Sequence, residues 1–302
     1  MNRRTFLAAA VGVGLAGCSD AQSVEEEKAT PTLTPAEIPG DPDGGPTSRF
    51  NADDPCPPRS SCFHRQDATN PASLELQVDP ERFTADERDG ELRLRCRGPE
   101  TWIFESDYRL LKYTGHRWAR ISHPRLLHAQ SILLEPGDRF DREFSIENRF
   151  GVELLGEGRY ACAQAAYAVG AEAEGGKLTA ALFEVEGTSY EPTPTRDDVD
   201  RDGETVRLNG DGSDTTFVVE RGTGPAAGAT ELVPEVVGAR SLLRETVPRL
   251  GDEIATVRAT TGDASRGMIY LQQAAATPVE IDAEATFQFD GVEFGVRIEE
   301  AG

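Results

Sequence analysis

Apolar and polar side chains alternate along much of the chain between residues 56 and 186. Residues 74–78 and 91–96 follow this pattern, which is typical of strands with one buried face. Thr114-Gly115-His116 separates two more such segments and predicts a hairpin turn. Further segments follow at residues 131–134, 140–146, 160–164 and 178–185. Seven or eight short strands predict a mainly β fold, with a β-sandwich over residues 56–186.

The pattern changes to mixed helix and strand after residue 204. Residues 239–247 have apolar side chains at helical spacing, and Asp263 is a predicted cap of a second helix. Asp290-Gly291 separates two alternating segments and predicts a type I′ hairpin. A small α+β domain is therefore expected over residues 205–302. Residues 187–204 are rich in proline and acidic side chains and predict an acidic linker between the two domains.

A ten-residue apolar run at residues 8–17 follows Arg3 and Arg4. It is too short to cross about 30 Å of hydrocarbon, which takes about 20 residues, so it predicts a signal peptide over residues 1–17. Residues 18–55 are dominated by proline, threonine and acidic side chains and have little to bury. They are predicted to form a disordered tether.

Two motifs in the first eighteen residues resemble known export signals. Residues 3–7, which begin with Arg3-Arg4, resemble a twin-arginine export signal, and residues 15–18 resemble a lipobox that ends at Cys18. The resemblance implies that Cys18 is lipidated and becomes the new N-terminus. The protein would then lie on the extracellular face of the cell membrane, held there by its lipid anchor. The alternative is a plain cleaved signal with a chance cysteine.

Acidic side chains outnumber basic ones by 53 to 31, which gives a formal net charge of −22. This charge excludes a nucleic-acid-binding surface, which needs clustered lysine and arginine. Lysine occurs only at Lys28, Lys112 and Lys177. The acidic, lysine-poor composition resembles that of proteins from salt-loving archaea, in which carboxylates hold water and cations in molar salt. The alternative is an ordinary acidic surface that improves solubility.

Four cysteines remain besides Cys18: Cys56, Cys62, Cys96 and Cys162. An even number in an exported protein predicts disulfides, with three connectivities open. The segment over residues 74–162 resembles the immunoglobulin-like domains of bacterial surface proteins in its motifs at residues 108–110, 117–118, 134–137 and 158–160. Tyr160 resembles the tyrosine corner of such sandwiches, whose hydroxyl bonds the backbone upstream. The resemblance implies a Cys96–Cys162 disulfide, which leaves Cys56–Cys62 as the second.

Three aspartates at alternate positions, Asp198, Asp200 and Asp202, precede Gly203 and match the first half of a calcium loop. Position 12 of such a loop is Asn209 rather than the usual glutamate, so the alternative is a solvated acidic segment. The four histidines, with Cys62, suggest copper or zinc. A cupredoxin site is excluded because no histidine follows Cys162 closely. A surface zinc site stays open beside solvated histidines.

No nucleophile elbow, metalloprotease helix or phosphate loop occurs in the sequence. The favoured hypothesis is a non-enzymatic surface lipoprotein that binds or scaffolds an envelope protein or small ligand, with no resident cofactor. The alternative is a lipoprotein that binds a divalent cation or small solute for a transporter. A hydrolase with an unrecognised site is the third hypothesis.

Overall fold

The computed structural model describes residues 48–51, 53–62, 74–105, 108–121, 131–147, 155–170, 177–210, 213–222, 229–274 and 285–300. One compact unit comprises Gly45–Gly302. Of the residues that the structure describes, 51% are in strands and 12% in helices, so the fold is mainly β with several sheets, as predicted.

Two sheets are built from the first part of the chain. The larger has eight strands: β1, β11, β10, β5 and β8 are successive neighbours, β3 pairs with β11, and β6 joins β10 to β7. The smaller has the order β2-β4-β9. The bounds are β1 (Ser60–Cys62), β2 (Leu74–Asp79), β3 (Arg82–Thr84), β4 (Asp89–Cys96), β5 (Trp102–Glu105), β6 (Arg109–Tyr113), β7 (Trp118–Arg120), β8 (Ser131–Leu134), β9 (Arg139–Ser145), β10 (Gly158–Ala168) and β11 (Lys177–Glu186).

Buried aromatic rings join these two sheets. Phe144 on β9 meets Phe183 on β11 edge-on, with ring centroids 5.1 Å apart, and lies 5.4 Å from Phe83 on β3. Tyr160 on β10 stacks on Phe183 at 5.3 Å. Such pairs add to the stabilisation that burial itself provides. Two sheets that share one aromatic core are consistent with the predicted β-sandwich.

A third sheet comes from the second part of the chain and has the order β12-β13-β16-β14-β18-β17-β15. Helix α3 packs on β14 and β18 and also reaches β7 of the first part. There, the Tyr270 hydroxyl donates to the carbonyl oxygen of Ile121 at 2.7 Å. The bounds are β12 (Val199–Asp202), β13 (Thr205–Leu208), β14 (Thr215–Arg221), β15 (Thr230–Glu231), α1 (Pro234–Gly238), α2 (Ser241–Thr246), a 3-10 helix (Val247–Arg249), β16 (Thr256–Thr260), α3 (Ala264–Ala274), β17 (Ala285–Phe289) and β18 (Val292–Glu300).

The predicted hairpin at Asp290-Gly291 is confirmed. Phe289 on β17 pairs with Val292 on β18 across a two-residue turn. Asp290 has φ 48° and Gly291 has φ 77°. Positive φ at both central positions defines the type I′ turn, whose twist matches that of the flanking strands.

The predicted linker over residues 187–204 is wrong in its second half. Val199–Asp202 forms β12, which pairs with β13 so that Asp202 lies opposite Thr205. Gly203, at φ 61°, allows the chain to reverse within two residues. The segment that resembles half of a calcium loop therefore ends in a strand and a hairpin turn at Gly203-Glu204.

The residues just before β12 are fixed to α2 by a buried carboxylate. Glu245 accepts hydrogen bonds from the backbone N–H groups of Thr195 at 2.9 Å and Arg196 at 3.1 Å, and it pairs with Arg249 at 3.3 Å. Burial alone raises the pKa of Glu245, but these hydrogen bonds outweigh burial and lower it below the ordinary value. The charged carboxylate thus holds a segment that composition predicts to be solvated.

The predicted tether, residues 18–55, is likewise wrong at its C-terminal end. Phe50 is buried, and the Arg159 guanidinium lies 5.5 Å from the centre of its ring. Arg159 also pairs with Asp54 at 2.7 Å, and Arg49 pairs with Glu184 on β11 at 3.0 Å. Phe50 gives this stretch apolar area to bury, so it packs on the outer face of the large sheet. Residues 1–47 lie outside the described part of the chain.

Candidate binding surface

The predicted export and lipidation residues, Arg3, Arg4 and Cys18, lie outside the described residues. They remain predictions. Across the stretches that the structure describes, no helix is long and apolar enough to cross a membrane.

One of the two predicted disulfides is confirmed. Cys56 and Cys62 are bonded to each other across a sequence separation of six residues. Cys62 is the last residue of β1, which pairs in parallel with β11. The predicted Cys96–Cys162 disulfide is wrong, since both residues are buried thiols. Cys96 is the last residue of β4, and its thiol donates to the carbonyl oxygen of Glu100 at 3.1 Å. Cys162 lies in the middle of β10, opposite Ala181 and Leu110, so the thiols occupy different places in the core.

The hydrogen bond expected of Tyr160 is present. Its hydroxyl bonds the carbonyl oxygen of Gly156, four residues upstream, as in a tyrosine corner. The same hydroxyl lies 2.7 Å from Oε1 of Glu235. Burial, followed by the charge of Glu235, raises the pKa of Tyr160 far above its ordinary value. The hydroxyl therefore stays protonated and serves as a donor.

Glu235, which the sequence did not single out, lies at the centre of this buried cluster. It is on α1 and is fully buried. Its Oε1 accepts from Lys112 Nζ at 2.7 Å and from the backbone N–H of Gly156 at 3.1 Å. The partners come from β6, β10 and the turn before β10, so the carboxylate joins the second part of the chain to the first. Glu235 itself is fully buried, so this cluster forms part of the contact between the two parts of the chain.

The predicted calcium ligands are not brought together. Asp198 pairs with Arg196 at 2.9 Å, while Asp200 and Asp202 lie along extended β12. Alternate residues of a strand are about 6.6 Å apart, too far for three carboxylates to converge on one ion. Within the described stretches, no group of three histidine, cysteine, aspartate or glutamate side chains is placed to hold a metal ion.

The histidines give no support to a zinc site in the described part of the chain. His116 lies in the turn between β6 and β7, 3.8 Å from Glu231, and is two-thirds exposed. His64, His123 and His128 lie outside the described residues.

A row of exposed apolar side chains crosses the outer face of the large sheet. Leu133 on β8 is paired with Ile103 on β5, which is in turn paired with Tyr167 on β10. Val169 follows two residues after Tyr167, and its N–H bonds the carbonyl oxygen of Thr101, so it extends the same face. The exposed fractions are 54% for Leu133, 39% for Ile103, 44% for Tyr167 and 55% for Val169. These four residues are called the apolar row below.

The rest of this face shows that apolar side chains here are otherwise covered. Earlier along β10, Ala161 and Ala163 occupy the same face and are fully buried beneath a cluster that includes Phe50 and Trp118. Toward the other end of the strand, the described residues form no such cluster. An open groove of about 610 Å³ lies beside the apolar row, between Val169 and residues 99–101.

The apolar row could not be located from the sequence alone. Strands β5 and β8 read Trp-Ile-Phe-Glu and Ser-Ile-Leu-Leu, so Ile103 and Leu133 place apolar side chains at outward positions where polar residues are usual. That signal is present in each strand. Only the register of three strands far apart in the chain shows that the outward residues form one row.

Comparison with known proteins does not identify a function for this chain. No protein-family model matches the chain, and no curated protein matches it. A Pseudomonas fluorescens alkylpurine DNA glycosylase, AlkC, bound to DNA containing an abasic site analogue is 19% identical at TM-score 0.24, over 38% of this chain and 31% of that one. A PapD-like domain of human CEP192 is 15% identical at TM-score 0.21, over 39% and 86%. The periplasmic chaperone SfaE is 8% identical at TM-score 0.22, over 49% and 74%. Likenesses this weak carry no functional argument.

Proposed function

We propose that this chain is a lipid-anchored protein of the extracellular face of the cell membrane, which binds or scaffolds another envelope component without catalysing a reaction. The observation that carries the binding role is the apolar row. Single exposed apolar side chains are common, but contiguous ones on a soluble surface mark interaction sites. Here the four exposed apolar residues form an uncharged strip on a chain whose net charge is −22.

The scaffold that presents the apolar row is proposed to be immunoglobulin-like. The bond from Tyr160 to the backbone upstream supports this proposal, as does the packing of two sheets around Phe144 and Phe183. The anchor rests on the lipobox-like segment that ends at Cys18 and on the export-signal-like Arg3-Arg4 pair. The acidic, lysine-poor composition supports a salt-rich environment.

The anchor makes a direct prediction. Replacing Cys18 with serine removes the thiol that would receive the lipid, so the chain is expected to leave the membrane fraction or to accumulate as precursor. Immunoblotting of membrane and soluble fractions measures this. Cys96→Ser, which changes a buried thiol, is the matched control and should leave the chain in the membrane fraction. Equal membrane retention of Cys18→Ser and wild type would contradict the lipid anchor.

The binding role is tested by photocrosslinking in cells. A benzoyl-phenylalanine placed at Ile103 lies in the middle of the apolar row and is expected to form a protein adduct on illumination. The same residue placed at Asp252, which is exposed and outside the row, is the control. Adducts at position 103 that exceed those at position 252 support a binding surface. Equal or absent adducts would contradict it.

A further inference from the structure

The outer face of the large sheet stays apolar well beyond the apolar row. Alternate residues of a strand share one face, so Ala161 and Ala163 lie on the same side of β10 as Tyr167. On the neighbouring strand β11, Leu182 is paired with Ala161 and Ala180 with Ala163. The apolar row is therefore the exposed end of a longer apolar face that runs along β10.

A short segment before β1 closes the other end of this face. It consists of residues 48–51, 53 and 54 and is called the cover below. Phe50 is the one apolar side chain among these residues, and it is buried in a single cluster with the two β10 alanines, Ala180 and Leu182. Withdrawal of Phe50 would uncover apolar area that continues toward the apolar row.

Side-chain contacts hold the cover to the sheet. Arg49 pairs with Glu184 at 3.0 Å, and Asp54 pairs with Arg159 at 2.7 Å. Glu81 accepts a hydrogen bond from the backbone N–H of Arg49 at 2.6 Å. Both ion pairs are partly exposed to solvent, and ion pairs in such places contribute little to stability. The cover thus depends mainly on Phe50 for its attachment.

The backbone of the cover is bonded within the segment itself. The N–H of Asp54 donates to the carbonyl oxygen of Asn51 at 3.1 Å, and the N–H of Asn51 donates to the carboxylate of Asp54 at 2.8 Å. Pairing of this part of the chain with β11 starts later, at Ser60 in β1. A segment held by a few side-chain contacts opens at a lower free energy than the paired strands beneath it.

We infer that the cover is an autoinhibitory contact, which opens while the sheets stay folded and so controls how much of the apolar face a partner reaches. The inference rests on the proposed binding function and deepens it, because it gives that surface a closed and an open form. In the closed form, which the structure shows, a partner meets only the apolar row. In the open form, it also reaches the cluster beneath Phe50, and a larger contiguous apolar area favours binding.

Opening is tested by the rate at which a thiol beneath the cover is alkylated. In the full-length Cys18→Ser chain, Leu182→Cys places a thiol in the cluster with Phe50. Cys162, fully buried on the core side of β10, is the control within the same molecule. In molar salt, alkylation at position 182 is expected to be more than about tenfold faster than at position 162. Peptide mapping by mass spectrometry measures both rates.

A second thiol shows that the substitution itself does not open the cover. Ala180→Cys removes no apolar atoms, and it should react at a rate similar to that of Leu182→Cys. Alkylation at positions 180 and 182 that is as slow as at Cys162 would overturn the inference. The cover would then open only when the whole body of the protein unfolds.

The attachment through Phe50 is tested by removing its ring. Phe50→Ala is expected to speed alkylation at position 182 by more than about tenfold and to leave that at Cys162 unchanged, because only the cover loses buried apolar area. Phe289→Ala is the matched control, since Phe289 is a partly buried phenylalanine of the third sheet. It should leave the ratio of the two rates unchanged. Unaltered rates in Phe50→Ala would contradict the inference.

Photocrosslinking separates this inference from the proposed function. Faster alkylation beneath the cover, with more adducts at position 103 when Phe50→Ala is present, supports the inference. Adducts at position 103 that do not rise with Phe50→Ala overturn it and leave the binding role standing, as does slow alkylation beneath the cover. Adducts at position 103 that never exceed those at position 252 overturn the proposed function, and the inference falls with it.

Discussion

Replacing Glu235 with alanine is expected to lower the free energy of unfolding by about 3–5 kcal/mol, because it leaves a buried ion pair with one partner. Lys112, whose side chain is only 14% exposed, would lose the carboxylate with which it pairs. The backbone N–H of Gly156 would lose its acceptor as well. Domains are stable by about 5–15 kcal/mol, so the loss is a large share of the total. Urea unfolding in molar salt measures it.

Two further variants show whether the lost stability comes from leaving Lys112 without its carboxylate partner. Glu253→Ala removes a carboxylate that is 80% exposed and pairs with Arg201, and it should cost less than about 1 kcal/mol. The double variant Lys112→Met with Glu235→Leu removes both charges and should recover much of the stability. Tyr160 keeps its backbone acceptor at Gly156 in that variant. A Glu235→Ala chain as stable as Glu253→Ala would refute this account of the cluster.

Replacing Gly210 with alanine is expected to destabilise the third sheet strongly. A Cβ at this position would lie 1.7 Å from the carbonyl oxygen of Thr260, the last residue of β16. That oxygen belongs to the backbone, so it cannot move aside as a flexible side chain could. The chain after β13 would have to shift away from β16, at a cost of about 1–3 kcal/mol or more.

The expected loss appears as a lower Tm in a thermal scan, by about 2–4 °C for each kcal/mol. Gly251→Ala makes the same chemical change where, apart from the adjoining residues of the chain, no described atom lies within 4 Å of the new Cβ. Its effect should stay within about 0.5 kcal/mol. Indistinguishable Tm values for the two variants would show that the contact at Thr260 relaxes without cost.

Features that depend on neighbouring residues could be predicted from the sequence. Asp290-Gly291 gives a type I′ turn because both positions need positive φ, which glycine and aspartate tolerate. The Tyr160 bond to Gly156 spans four residues and is equally local. Alternation along β4 likewise predicts a strand, since its apolar positions are the buried ones. Strand β2 alternates as well, although Leu74–Val78 is buried on both faces.

Features that depend on tertiary register could not be predicted. Cys96 and Cys162 are both on strands. The alternation of apolar and polar residues does not show which strands face each other, or which residues along them lie opposite. The partners of Glu235 lie 75 to 123 residues away, so no local pattern marks this carboxylate. Composition misleads at Asp198–Asp202 for a related reason. The acidic side chains suggest a solvated loop, whereas Val199 and the Gly203-Glu204 turn specify a hairpin that extends the third sheet.

The position of the Cys56–Cys62 disulfide determines how the body of the protein responds to mechanical force. If a membrane anchor pulls on the chain from its N-terminal side, tension first acts on the stretch held by Arg49, Phe50 and Asp54. Once that stretch peels away, tension reaches Cys56 and passes through the disulfide to Cys62, the last residue of β1. Residues 57–61 then carry no load, so β1 is not unzipped from its first residue. Reduction of the bridge would direct the pull onto Ser60 and allow extension to continue strand by strand from there.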